Sequence, residues 1–285
     1  MSQQQGQAFL QNLTRVRDDL PVPPAVLREL FIKVERDSSF SLDSISRIVA
    51  SDQSLATRVL SRANSAYYGF EARISSISRA VNLIGLAELR RIILSINIST
   101  LSGKVRQQDL DLQAYWEHHS FTALMAHELA RILKRRDADD ILTIGLLHDL
   151  GKLITAIYAP DAWQHISTLA MQTNTPLFIV ETEFWGIDHA LVGAMTLQLW
   201  HLPETVTEPV NWHHRPEFAG KGFRDQTMIL ALANNIQHSM QSGSGYEPDQ
   251  ILHRKLGLDQ TMTHDLAQDI KSGDSMHELK QLLAA

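Results

Sequence analysis

The 285-residue chain contains no cysteine, which excludes both a disulfide scaffold and a thiolate metal site. It also lacks any uninterrupted apolar run near the eighteen or so residues that a membrane span needs. Residues 1–20 have no basic patch followed by an apolar stretch, so no signal peptide is predicted and a cytoplasmic compartment is expected. Strand signals are scarce: there is no good run of alternating β-branched residues and no Asn-Gly or Asp-Gly turn. No repeat recurs at a fixed period. An excess of positive charge is missing too, with 26 Lys and Arg against 32 Asp and Glu. That balance argues against nucleic acid or an anionic membrane as partners, and residues 26–60 lack the basic recognition helix of a helix-turn-helix reader.

What the chain has in abundance is helical periodicity, which predicts an all-α fold. Pro23-Pro24 opens a helix running to Val34, Ser41 caps one through Val49, and Asp52 caps one reaching Ala63. Two more, 76–84 and 86–98, are split at Gly85. The polar stretch 102–109 separates an N-terminal helical lobe, residues 1–104, from a second lobe, 105–242. In that lobe the pattern predicts helices at about 110–135, 138–157, 161–174, 177–185, 188–201, 203–213 and 225–241. Residues 243–285 form a C-terminal helical extension, with a loop at 242–249 and one weakly patterned helix at 261–283.

Thirteen histidines stand out, since histidine is both the commonest metal ligand and the usual acid–base group at neutral pH. Scattered surface histidines would account for the number alone; the register of particular ones is more telling. His118 shares a stripe with Phe121, Thr122, Met125, Leu129 and Ile132 at spacings of three and four. His127 falls on the opposite, solvated face. His148 aligns with Ile141, Ile144 and Gly145, and Asp149 follows it. His189 aligns with Val192, Gly193, Thr196 and Trp200, while Val206 and Val210 lead into His213 and His214. Gly145 and Gly193 let helices approach closely, and Gly151 suits an ending or bend after the His148-Asp149 pair. A single inward histidine is usually a satisfied core residue. Four helices that all present one supply the imidazole and carboxylate set of a divalent first-row ion such as Fe, Mn, Zn, Co or Ni. Such an ion would lower the pKa of a bound water, and Lys152 would offer a point charge to a phosphate.

The order H…HD…H…HH, with L-L-H-D-L-G-K at 146–152, resembles the HD superfamily of metal-dependent phosphohydrolases. More specifically, D-Q-S-L-A-T-R-V-L-S-R-A-N-S-A-Y-Y-G at 52–69, L-P-V-P-P at 20–24 and A-V-N-L-I-G-L-A-E-L-R at 80–90 resemble the HDOD domain. So do W-E-H at 116–118, G-I-D-H-A-L-V-G-A at 186–194, W-H-L-P at 200–203 and N-W-H-H-R-P at 211–216. The likeness spans roughly residues 15–240. It implies a multi-helical HD-domain-like bundle with an N-terminal helical lobe, and a bacterial signal-transduction output module. The implied metal ligands are His118, His148, Asp149, His189, His213 and His214; His119 stands where the family more often has serine. The superfamily pattern closes on a late aspartate, where L-A-N-N at 232–235 offers Asn234, a degenerate ligand without charge. The signature of the related HD-GYP enzymes, which hydrolyse cyclic-di-GMP, is absent after the histidine pair.

Two functions follow from the resemblance. The first is a non-catalytic signalling module that binds a partner protein or a small phosphorylated ligand, with a homodimer also allowed. The alternative is a metal-dependent phosphohydrolase acting on a nucleotide or phosphate ester, with Asp149 and Lys152 in catalytic roles. Two further groups read as structural. Asn64, Ser65, Tyr67 and Tyr68 tie down the turn after their helix, and Arg79, Arg90 and Arg91 form a solvated face rather than a phosphate patch.

Overall fold

Every regular element among the described residues of this computed structural model is helical; those residues are 3–14, 16, 42–51, 53–64, 74–106, 109–241 and 249–284. The expected helix from Pro23 to Val34, the caps Ser41 and Asp52, and Ser65, Tyr67 and Tyr68 lie outside them. In the N-terminal part, α1 (Gln3–Gln11) precedes α2 (Leu42–Ser51), α3 (Gln53–Ala63) and α4 (Ile77–Ser102), with α2 and α3 both packed on α4. Ser76 caps α4 by accepting the Arg79 N–H. The split expected at Gly85 is a kink inside α4, where Gly85 takes φ 78° and ψ 170°. Space for a Cβ is open there, so the left-handed backbone is what demands glycine. Asn64 ends α3 as expected: its amide donates to the carbonyls of Leu60 and Ile74 and its oxygen accepts from the Ile74 N–H.

The arginines of α4 behave otherwise than expected. Arg90 is buried and donates to Asp140 at 2.7 Å, and Arg91 and Arg62 both grip Glu88. These are neither a solvated face nor a phosphate patch, because each guanidinium is spent on a carboxylate brought in by another turn or helix. Only Arg79 is exposed. Burial alone would raise the Glu88 carboxyl, but Arg91 and Arg62 outweigh it and hold it below the ordinary 4.5. Glu88→Gln is therefore expected to destabilise the fold by about 1–3 kcal/mol at neutral pH. A folded pKa below the unfolded one contributes fully above 4.5 and is lost as pH falls through the lowered value. Thermal melts of parent and variant should converge on acidification, and a pH-independent gap would refute the assignment.

The chain continues through α5 (Leu112–Ile132), α6 (Ala138–Leu147), α7 (Leu150–Tyr158), α8 (Pro160–Thr173), α9 (Leu177–Trp185), α10 (His189–Leu199), α11 (Glu204–Trp212), a 3₁₀ turn at Pro216–Phe218, and α12 (Arg224–Gln241). The long central α5 packs on α6 and α12, and α10 packs on α7 and α11. Left-handed residues follow the ends of four of these helices, Lys134 after α5, Asn174 after α8, Gly186 after α9 and His201 after α10. Two expectations need correction. The helix at 138–157 is two helices, with Asp149 at φ −103° and ψ 16° between them. Together they are long and apolar enough to cross a membrane, yet 83% of that stretch is buried within the fold. The helix at 261–283 is likewise two, α14 (Gln260–Ser272) and α15 (Asp274–Ala284), parted at the extended Gly273 and preceded by α13 (Gln250–Leu256). Weak amphipathic patterning hid that break. Both α14 and α15 pack on α5, and α15 also reaches α4.

Close approach between helices sets the geometry around the break. A Cβ on Gly145 would stand 2.5 Å from the Ala123 Cα, so α6 lies directly against α5. On Gly151 it would stand 1.9 Å from the His189 carbonyl oxygen, so α7 lies against the start of α10. These two glycines bring the histidine-bearing helices together.

Candidate metal centre

The six expected residues arrive at one place from four local devices. His118 lies mid-helix on α5. His148 and Asp149 occupy the break between α6 and α7. His189 is the first residue of α10, which Asp188 caps by accepting the Leu191 N–H at 2.9 Å. His213 and His214 follow the last turn of α11. All except His214 are buried.

The imidazoles share an orientation. The Nδ1–H of His148 donates to the Gly145 carbonyl at 2.8 Å and that of His213 to the Val210 carbonyl at 2.7 Å. His189 Nδ1 donates to Glu181 Oε2 at 2.6 Å, and His118 Nδ1 to Gln237 Oε1 at 2.8 Å. With Nδ1 spent on an outer acceptor, Nε2 is the atom left to face the centre. There the four Nε2 atoms surround the Asp149 carboxylate. His189 and His213 lie 3.0 and 3.5 Å from Oδ1, and His118 and His148 lie 3.2 and 3.3 Å from Oδ2. His118 and His148 Nε2 are 3.0 Å apart, and those of His189 and His214 are 2.8 Å apart. Lys152, one turn into α7, places its ammonium on Asp149 Oδ2.

Burial pushes the His148 imidazole down to about 4, against the pull of Asp149, so its lone pair is free at neutral pH. Burial would also raise Asp149, but His148, Lys152 and His189 hold it well below the carboxylate range. Burial alone would lower His189; Glu181 and Asp149 outweigh it and raise it to about 9. Without a metal, His189 thus faces Asp149 Oδ1 as a cation, as Lys152 faces Oδ2. Asp149 Oδ1 and His213 Nε2 are buried with no hydrogen bond, which is costly unless a cation completes them. The ligand atoms fall into two overlapping groups, Asp149 with His189, His213 and His214, and Asp149 with His118 and His148, each within 4.8 Å. Nitrogen and oxygen donors in this arrangement fit a divalent first-row ion.

The remaining expected residues are placed more loosely. Asn234, on α12, is buried with its side-chain oxygen unpartnered, and it lines a cavity of about 450 Å³ beside the cradle. Lys152, Phe178, His189, His214 and His238 share that wall, and Phe178 stacks on the His214 ring at 4.2 Å. His119 is fully buried away from the cradle's centre, donating to the Tyr115 carbonyl and packed on the His148 ring. His127 stays apart from the cradle, as its register requires. It is half-buried between Glu128 and Asp139 rather than solvated. A second cavity, of about 500 Å³, touches the cradle only through Gln237 and gathers no comparable set of ligands.

Three residues of the site escaped the sequence reading: Glu181, Gln237 and His238. Glu181 takes both the backbone N–H and the ring of His189, and Gln237 orients His118. His238 packs on the His118 ring at 4.9 Å. The one available signal was spacing, since Asn234, Gln237 and His238 are three and four residues apart and share a face of α12.

The HDOD domain family model matches residues 20–216. A curated relative from Treponema pallidum (strain Nichols), an uncharacterized protein, is 28% identical over 232 residues, covering 81% of this chain and 44% of its own length. Among solved structures, a candidate signal transduction protein from Marinobacter aquaeolei VT8 matches with a TM-score of 0.74 at 22% identity, covering 93% of this chain and 60% of that one. A candidate phosphohydrolase from Shewanella amazonensis SB2B matches with a TM-score of 0.68 at 23% identity, covering 95% of this chain and 98% of that one. The chain thus spans less than two thirds of the curated relative and of the first structure, and at these identities the structural likeness is one of fold.

Proposed function

The chain belongs to the HDOD domain family, and from that premise we propose that it is a signal-transduction output module with a retained divalent metal centre. The module comprises the lobes 1–104 and 105–242 with the extension 243–285. The observation that carries the reading is the convergence of four Nδ1-anchored imidazoles on the two oxygens of one buried carboxylate. His118, His148, Asp149, His189, His213 and His214 would hold the metal, with Fe, Mn, Zn, Co and Ni as candidates.

The cavity of about 450 Å³ beside the cradle is sized for a small phosphorylated ligand. Lys152 offers it positive charge, Asn234 and His238 offer polar contacts, and Phe178 offers an apolar face. A signalling protein is the other partner class, and a second copy of the chain is a third. A formal charge of −6 favours neither nucleic acid nor membrane, and the proposed compartment is the cytoplasm.

One observation favours a second reading, a metal-dependent phosphohydrolase: Lys152 touches Asp149 and also lines the cavity that the cradle opens onto. A bound divalent ion supplies Lewis acidity at such a site. Lys152 would then bind a phosphoryl oxygen, while Asp149 orients the cradle histidines. Asn234 in place of a carboxylate weighs towards the signalling reading. Elemental analysis of protein purified without added metal tests the centre. At least about one equivalent is expected, and less than about a tenth would overturn it. With metal bound, turnover of generic phosphodiesters would select the hydrolase reading, and its absence the signalling one.

A further inference from the structure

We propose that the two halves of the cradle are unequal and fill in order: a first divalent ion at Asp149 Oδ1, His189, His213 and His214, and a second, more weakly, at Asp149 Oδ2, His118 and His148. This rests on the reading of the cradle as a metal centre and goes beyond it in assigning each residue to a tight or a weak position.

Four features favour the first position. It has four ligands against three. The two buried cradle atoms without a hydrogen bond, Asp149 Oδ1 and His213 Nε2, both belong to it and lie 3.5 Å apart. Oδ2 carries the Lys152 ammonium, which is no ligand and which a second cation must displace or tolerate at close range, whereas the nearest group to Oδ1 is the ring of His189, itself a ligand of the first position. The outer partners differ in the same sense. His189 is backed by the buried Glu181 carboxylate, which binds both its ring and its backbone N–H. His118 is backed by the neutral Gln237 amide and His148 by the Gly145 carbonyl. A carboxylate behind an imidazole makes it a stronger ligand than a neutral acceptor does, and such partners change metal affinity by about 10–100-fold.

The test is a titration of the chelator-stripped full chain with Co²⁺, followed by calorimetry and by the visible spectrum of the ion. The parent should bind in two steps, the first at least about tenfold tighter. Glu181→Gln should weaken the first step by about 10–100-fold and leave the second unchanged. Lys152→Met should tighten the second step by about tenfold and leave the first unchanged, a gain that a general disturbance of folding does not produce. Two steps of equal affinity, a Glu181→Gln effect confined to the second step, or an unchanged second step in Lys152→Met would each overturn the ordering while leaving the metal centre intact. No binding of Co²⁺ at all would overturn the metal centre itself.

Discussion

Replacing His148 and Asp149 together with alanine is expected to take bound metal from stoichiometric to less than about a tenth of an equivalent. Asp149 is the one ligand common to both groups, facing His189 and His213 with one oxygen and His118 and His148 with the other. Removing it leaves two sets of imidazoles with no carboxylate between them. Removing His148 also deletes the ring on which His119 packs. Because both residues sit at a helix break, the variant must be shown to remain folded. Circular dichroism should report parental helix content, and Asp149→Asn, which keeps the volume, should lose metal as well. Stoichiometric metal in a folded double variant would place the centre elsewhere.

The second large effect is expected at a residue with no side chain. Gly151→Ala should destabilise the fold by more than about 3 kcal/mol, which for a chain of this size lowers Tm by at least about 6–12 °C. The new Cβ would meet the His189 carbonyl oxygen at 1.9 Å, its carbon at 2.7 Å and the Gly193 nitrogen at 2.8 Å. These are backbone atoms in the first turns of α10, so no rotamer change relieves the clash, and α7 and α10 must separate. Separation carries His189 away from Asp149, so metal capacity should fall with stability. Gly193→Ala is the matched control: its nearest contact, the Gly151 nitrogen at 3.1 Å, needs a shift of only a few tenths of an ångström. Differential scanning calorimetry of both variants decides the matter, and a Gly151→Ala melt within about 2 °C of the parent would refute the packing argument.

Much of this architecture was legible in the chain. The inward registers of His118 and His189 follow from a 3.6-residue repeat, which local sequence dictates because apolar neighbours at three and four positions mark the buried stripe. The break at Gly85 was legible from local sequence too, although it is a kink within one helix rather than a gap between two. The extent of two helices was not. Residues 138–157 carry helix-forming, apolar residues throughout; Gly151 allowed a bend after the His148-Asp149 pair, but only the folded chain shows two helices parted at Asp149, where the His148 ring takes the Gly145 carbonyl and Lys152 takes Asp149. Arg90 was misjudged because its carboxylate partner, Asp140, lies on another helix 50 positions away, and Arg91 because Glu88, which it grips within α4, is buried with it against Arg62 of α3.

The amino-acid sequence by itself determined an all-helical fold, its family and the six residues of the cradle, because helical period and motif order are properties of neighbouring positions. Only the tertiary structure decided that His189 and His213 face one oxygen of Asp149, that Lys152 occupies the other, and that a carboxylate backs His189 while an amide backs His118. Those facts join residues as far apart as 119 positions, and no local pattern encodes a contact between helices that meet only after the chain has folded.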